Sequence, residues 1–145
     1  MRFLKIGDTG SAAKTIAESD IYLYAGITGD FNPIHVNEEA AKKSIFKHRI
    51  AHGMLTGGLV SAVIGNVMPG PGTVYLEQNL KFKAPVFIGD TCTAHASVLE
   101  VLNLEKGIYK LNTWVVNQDG MIVSEGYAVV KYKNTKFGTS QGGRV

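Results

Sequence analysis

Met54-Leu55-Thr56-Gly57-Gly58-Leu59-Val60-Ser61-Ala62-Val63-Ile64-Gly65-Asn66 is the heart of the chain's longest apolar stretch. As a helix it would run about 20 Å. It is hydrophobic on nearly all sides, the mark of a helix buried within a fold rather than laid on its surface. Met54 to Val67 holds 14 residues, short of the roughly 20 that a membrane-spanning helix needs. Gly57, Ser61 and Gly65 recur every four residues on one stripe, and Gly58 opens a further gap. Each interior glycine costs a helix about 1 kcal/mol relative to alanine. Something must therefore approach that stripe closely: a sheet, a partner chain or a ligand.

Downstream, the pattern changes to strands. After a Pro69-Gly70-Pro71-Gly72 turn, residues 73–82, 90–102, 107–116 and 122–132 read as strands, several of them rich in β-branched residues. Glu105-Lys106-Gly107 and Asn117-Gln118-Asp119-Gly120 supply turns between them. One buried helix against an antiparallel sheet predicts an α+β layer architecture. Residues 134–145 are polar and glycine-rich and read as a disordered tail or an expression remnant. That leaves residues 1–133 as a single domain.

Upstream, a turn is expected at Gly7-Asp8-Thr9-Gly10 and a weak first strand over residues 12–18. Ser19 is a candidate N-cap for a helix in which Ile21, Tyr24, Ala25 and Thr28 share a face and which Gly29 ends. Asn37 is placed to cap a second short helix, with Glu38 and Glu39 in its first turn and Lys42 and Lys43 in its last, as the helix dipole favours. Between the two lies Gly29-Asp30-Phe31-Asn32-Pro33-Ile34-His35. Gly29 tolerates positive φ, and Pro33 fixes its own φ while pushing Asn32 toward an extended conformation, so a shaped loop is expected there rather than helix or strand. Asp30 and His35 can then turn toward one small molecule.

Composition narrows what that loop can belong to. At 145 residues, 45% hydrophobic and 19% charged, the chain fits one soluble globular domain. Cys92 is the single cysteine; it cannot form an internal disulfide, and a reducing cytoplasm is the simplest location. No basic segment leads into an apolar run at the N-terminus, so no signal peptide is expected. The net charge of +3 comes without a block of Lys or Arg, and neither recognition-helix nor zinc-finger spacing points to nucleic acid. Serine-hydrolase elbows, metal-ligand spacings, P-loops and dinucleotide fingerprints are all missing from the sequence, which leaves catalysis without a metal or cofactor.

Three blocks carry a family resemblance. Tyr24-Ala25-Gly26-Ile27-Thr28-Gly29-Asp30-Phe31-Asn32-Pro33-Ile34-His35, then Ile50-Ala51-His52-Gly53-Met54, then Phe82-Lys83-Ala84-Pro85-Val86-Phe87-Ile88-Gly89-Asp90 resemble, in order and spacing, the MaoC-like R-specific enoyl-CoA hydratases (hydratase 2). The similarity runs from about residue 5 to residue 132. It implies a hot-dog fold, in which a sheet wraps one long central helix, and a homodimer or dimer of dimers acting on an acyl-CoA thioester. It also implies catalytic roles. Asp30 and His35 would hold a water that adds to the β-carbon of a trans-2-enoyl thioester, and the backbone N–H of Gly53 would meet the thioester oxygen. Ser61 would sit beside the pair as a small polar residue, and Asn32 would hold the loop or touch the water.

Each residue also has a plainer reading. Alone, Asp30 beside Gly29 would be a turn-former, His35 a hydrogen-bonded structural histidine, His52 a residue that orients Gly53 or fills space, and Ser61 helix packing. His48 and His95 are read as structural or exposed, and Cys92, on an expected strand, as packing. The coincidence of Asp30 and His35 with Asn32-Pro33 and with His52-Gly53 favours catalysis. Lys81, Lys83 and Arg49 could meet coenzyme A phosphates, but such cations are more often simply solvated, and none is assigned. Rival functions are an acyl-carrier-protein dehydratase, a hot-dog thioesterase, and a non-catalytic acyl-CoA-binding subunit.

Overall fold

In the strand Thr91–Asn103 every second residue of the first half, Cys92, Ala94, Ala96 and Val98, is buried. The strand Ile108–Val116 repeats this with Tyr109, Leu111, Thr113 and Val115. A period of two places these side chains on one face of a sheet, and that face meets Val60, Val63 and Ile64 of the long helix in a single core cluster. Alanines at 94 and 96 let the helix lie close to the strand. Burying each Leu, Val or Ile of this layer contributes about 1.5–3 kcal/mol.

The structure is a computed structural model, and it describes residues 3–133. In chain order the elements are β1 Thr9–Thr15, α1 Glu18–Thr28, α2 Pro33–Val36, α3 Glu38–Lys42, α4 Gly53–Asn66, β2 Val74–Phe82, β3 Thr91–Asn103, β4 Ile108–Val116 and β5 Ile122–Lys131. The strands form one five-stranded sheet in the order β1-β3-β4-β5-β2, every neighbour antiparallel. The β4–β5 turn closes on Asn117, whose Oδ1 accepts from the N–H groups of Asp119 and Met121. The whole connection from β1 to β2, on opposite edges of the sheet, consists of the four helices, and α4 is the one laid across the sheet.

The four later strands and α4 stand within a residue or so of their expected limits. The N-terminal third differs. The first strand begins at Thr9 rather than residue 12, because the ladder to β3 runs from Thr9 opposite Ser97 to Thr15 opposite Thr91. The turn before it is confined to Ile6-Gly7. Helix α1 is capped at Ala17, not Ser19, because the carboxylate of Asp20 accepts the Ala17 N–H at 2.8 Å. The tail over residues 134–145 lies outside the described residues.

The central helix is buried along the face it turns to the sheet. Thr56, Val60, Val63 and Ile64 are buried, whereas Met54, Gly58, Ser61, Ala62 and Gly65 face solvent in this chain. Of the small residues on the stripe, Gly57 meets the sheet: a Cβ there would lie 2.7 Å from Leu80 Cδ1. Among the described residues, nothing approaches Gly58 or Gly65 within 4 Å of a built Cβ.

Candidate active site

Helix α1 stops where Gly29 turns left-handed at φ 80°, its N–H still bonded to the Ala25 carbonyl. From there side-chain oxygens satisfy successive backbone donors. Thr28 Oγ1 accepts from Asp30 N–H, Asp30 Oδ1 from Asn32 N–H, and Asn32 Oδ1 from Ile34 N–H, each at 3.2 Å. Pro33 takes the first helical position, where its missing N–H costs nothing. The segment expected to be a loop therefore ends in the helical turn α2, with Asn32 as its N-cap and His35 on it.

His35 is 8% exposed, and its Nδ1 donates to the Ile50 carbonyl at 2.7 Å. Nε2 is left as the bare nitrogen of the ring. Burial is the largest influence on its pKa and pushes it below the ordinary histidine value; the neighbouring His52 pushes the same way, against the Ile50 hydrogen bond and the Asp30 charge. A neutral imidazole with a free Nε2 is the state a general base requires.

The two halves of the expected site meet. His52, only 2% exposed, occupies the N-cap position of α4; its ring stacks on His35 with centroids 3.9 Å apart, and its Nε2 donates to the Asp30 carbonyl at 2.9 Å. The ring of Tyr24 lies 4.5 Å from it. His52 thus joins the Asp30 turn to the head of α4. Gly53 opens that helix, where backbone N–H groups have no intrahelical acceptor and the dipole is positive. A Cβ on Gly53 would lie 2.9 Å from Phe82 Cδ1; glycine lets that ring close against the helix head.

Asp30, His35, His52 and Gly53 open on a cavity of about 440 Å³ whose apolar wall includes Phe82, Pro85 and Val86 of the third sequence block. Ala51 N–H donates to the Val86 carbonyl at 2.8 Å, and Ile50 pairs with Phe87, so this block also backs the segment that orients His35. Ser61 is not brought to the pair. Eight residues past Gly53, about 12 Å along the helix axis, it faces solvent outside the cavity lining. Arg49 is unsuited to a phosphate, since two carboxylates already engage its guanidinium. Lys83 lines the cavity and pairs with Glu125 at 3.5 Å. Cys92 is packing, its buried thiol pushed up to about 11. His95 stacks on Trp114 across the β3–β4 pair.

The ligating atoms of Asp30, His35 and His52 lie within 4.8 Å of one another. As a cation site the cluster is poor, because His52 Nε2 is committed to a carbonyl and its Nδ1 is sealed from solvent without a partner. Two reachable donors fall short of the three protein ligands of a typical catalytic metal; they suit one water. The sequence did not reveal the Ile50 carbonyl or the Tyr24 contact. The first is a backbone atom, for which residue type carries no signal, and the second is a ring already accounted for as helix packing.

An antiparallel sheet packed on one central helix, with a carboxylate and a neutral imidazole at the helix head, defines a hot-dog protein equipped for proton transfer on a small molecule. The chain belongs to the MaoC-like domain family, which its residues 7–118 match. It is similar to the (R)-specific enoyl-CoA hydratase of Rhodospirillum rubrum, 52% identical over 127 residues that cover 88% of this chain and 87% of that one. The 3-hydroxybutyryl-CoA dehydratase of Methylorubrum extorquens is 43% identical, over 88% of this chain and 80% of its own. Among solved structures, the R-hydratase of Pseudomonas aeruginosa in its unliganded form aligns at a TM-score of 0.86 with 42% identity, covering 91% of this chain and 84% of that one.

Proposed function

We propose that the protein is an R-specific enoyl-CoA hydratase that adds water to a trans-2-enoyl-CoA, giving (R)-3-hydroxyacyl-CoA, and that also runs the reverse dehydration. The observation that carries this is the pairing of Asp30 with a neutral, Nε2-bare His35 at the mouth of an apolar cavity headed by the Gly53 N–H. A water held between the two gives one proton to His35 Nε2 as its oxygen bonds the β-carbon. The π electrons of the double bond move onto the thioester oxygen, where the Gly53 N–H stabilises the charge as it develops. The enolate then collapses and the α-carbon takes the proton back from the imidazolium on the same face, so one water is consumed and every proton is accounted for. Asp30 accepts the water's second hydrogen bond and stabilises the imidazolium between the two transfers. The cavity walls take the acyl chain.

A second copy of the chain suits the solvent-facing stripe of α4, where Gly58 and Gly65 leave room and Met54 is 56% exposed, and the β2 edge, where Val74 and Leu76 are each 53% exposed. The functional unit is read as a homodimer on these grounds.

The test is hydration of crotonyl-CoA followed by loss of the enoyl-thioester absorbance, with chiral analysis of the 3-hydroxy product. An R product is expected. An S product, or an Asp30→Asn variant as active as the wild type with its fold intact, would sink the mechanism.

A further inference from the structure

We infer that Arg49 is a positioning residue for the catalytic imidazole, acting through the carbonyl of Ile50. The kinetic part of this inference rests on the hydratase reading above; the structural part does not. The Arg49 side chain is 13% exposed and forks to three partners. Nε donates to Glu38 Oε2 at 2.7 Å, Nη1 to Tyr22 OH at 2.7 Å and Nη2 to Glu18 Oε1 at 2.8 Å, while Tyr22 OH donates to that same Glu18 oxygen. Glu18 and Tyr22 belong to α1, which delivers Asp30 at its C-terminal end. Glu38 opens α3, which shares its capping residue Asn37 with the helical turn that carries His35. One planar group thus fastens both arms of the catalytic loop to the segment ahead of α4.

The residue after Arg49 makes the contacts that matter for the chemistry. Ile50 N–H donates to the Ile34 carbonyl at 3.3 Å, and the Ile50 carbonyl accepts from His35 Nδ1 at 2.7 Å. That second bond selects the tautomer with Nε2 bare. A surface ion pair is ordinarily worth less than about 1 kcal/mol, so two of them and a tyrosine hydroxyl gathered on one guanidinium are poorly explained as stabilisation. A rigid fork matched to carboxylates supplies geometry instead. When the fork is lost, α1 and α3 are no longer fastened to residue 49, the α2 turn that carries His35 shifts against the Ile50 carbonyl, which the Ala51 N–H bond to Val86 holds in place, and His35 samples the tautomer that cannot take a proton at Nε2.

Arg49→Lys keeps the charge and loses the fork; Arg49→Ala loses both. Both variants are expected to lower kcat for crotonyl-CoA by about 10-fold to 10²-fold, the scale of an angstrom-sized misplacement, with KM essentially unchanged. Millimolar guanidinium ion should restore part of the kcat of Arg49→Ala. Side-chain nitrogen resonances of His35 should change from the single Nδ1–H tautomer to a mixture. Glu38→Gln, which weakens one arm only, gives a smaller change in both readouts and serves if the arginine variants do not fold. Wild-type kcat and an unmixed tautomer in folded Arg49→Lys overturn the inference. So does a raised KM with kcat and tautomer preserved, which would make Arg49 a contact to substrate phosphate. If the wild type hydrates no enoyl-CoA, the functional reading fails, and the tautomer measurement still decides the role of Arg49.

Discussion

The sheet and the segment from Glu18 to Gly53 are held together in different ways. In the sheet, each strand pair repeats the same bond along its length, as between Thr113, Leu111 and Tyr109 of β4 and Gly126, Ala128 and Val130 of β5, and buried apolar side chains join α4 in one core from three strands, β3, β4 and β5. Losing one contact leaves many like it. In the catalytic segment, single side chains do single tasks: Asn32 starts α2, Asn37 starts α3, His52 ties Asp30 to α4, and Arg49 ties α1 to α3. Stability is concentrated in the redundant half and the geometry of the proposed catalytic pair in the half without redundancy, so damage to each should register in a different measurement.

The largest separation is expected at the reacting groups. Asp30→Asn and His35→Gln should each lower kcat by about 10² to 10⁴, the usual worth of a positioned acid or base. The double variant should lose little more than the worse single one, because in the proposed mechanism the two act on one water. Thermal unfolding of Asp30→Asn should stay near that of the wild type, since Asp30 is exposed, while His35→Gln gives up a buried ring stacked on His52 and bonded to the Ile50 carbonyl, a loss expected to be smaller than that of a core residue. The converse is Leu111→Ala, at a fully buried position on the inner face of β4. It should cost about 2–5 kcal/mol of stability while kcat per folded molecule, measured well below the transition, is preserved. A large loss of kcat in folded Leu111→Ala would erase the distinction between the halves.

The same division explains what the sequence could show. The four later strands and α4 announce themselves by long runs of one periodicity, and the observed limits fall close to those expected. The segment before α4 is built from short elements whose ends are set by one hydrogen bond each. Asp20 takes over the capping expected of Ser19, and Asn32 with Pro33 converts an expected loop into a turn of helix around His35. Asp30, His35 and Gly53 were legible as a motif. Ser61 was carried along with that motif, yet its position on the solvent side of α4 follows from helix phase relative to the sheet, a tertiary fact. Arg49 bonds residues 11, 27 and 31 positions away, beyond any local pattern.

An intermediate effect is expected with pH. Burial holds the His35 pKa below its ordinary 6.5. The base must be neutral, so kcat/KM should be flat at neutral pH and fall as pH drops through that lowered value, with the acid limb inflecting below 6.5. Linkage gives the stability the same sign. The unfolded chain binds the proton first, so the His35 contribution is present above 6.5 and is lost as pH falls from there toward the lowered pKa. His35→Gln should flatten the stability change. An acid limb centred above 6.5 would mean that the ring is stabilised as a cation and that His35 is not the base.

The smallest effect probes the boundary between the halves most directly. Asn37 ends α2 and begins α3: its N–H donates to the Pro33 carbonyl, and its Oδ1 accepts from Ala40 N–H at 3.0 Å. Asn37→Ala keeps the first bond and removes the second, a loss of about 1 kcal/mol for an N-cap. In a redundant layer such a loss would spread through the cooperative unit and lower global stability by its full amount. In a segment held by single contacts it should instead raise local opening, seen as faster amide exchange over residues 33–42 with little change in the exchange of β3 and β4. A modest fall in kcat should accompany it, because the carboxylate of Glu38 leaves Arg49 whenever α3 frays. Equal acceleration of exchange in α3 and in β4 would show that the catalytic segment opens only with the whole fold, and the separation of stability from geometry would fail at that point.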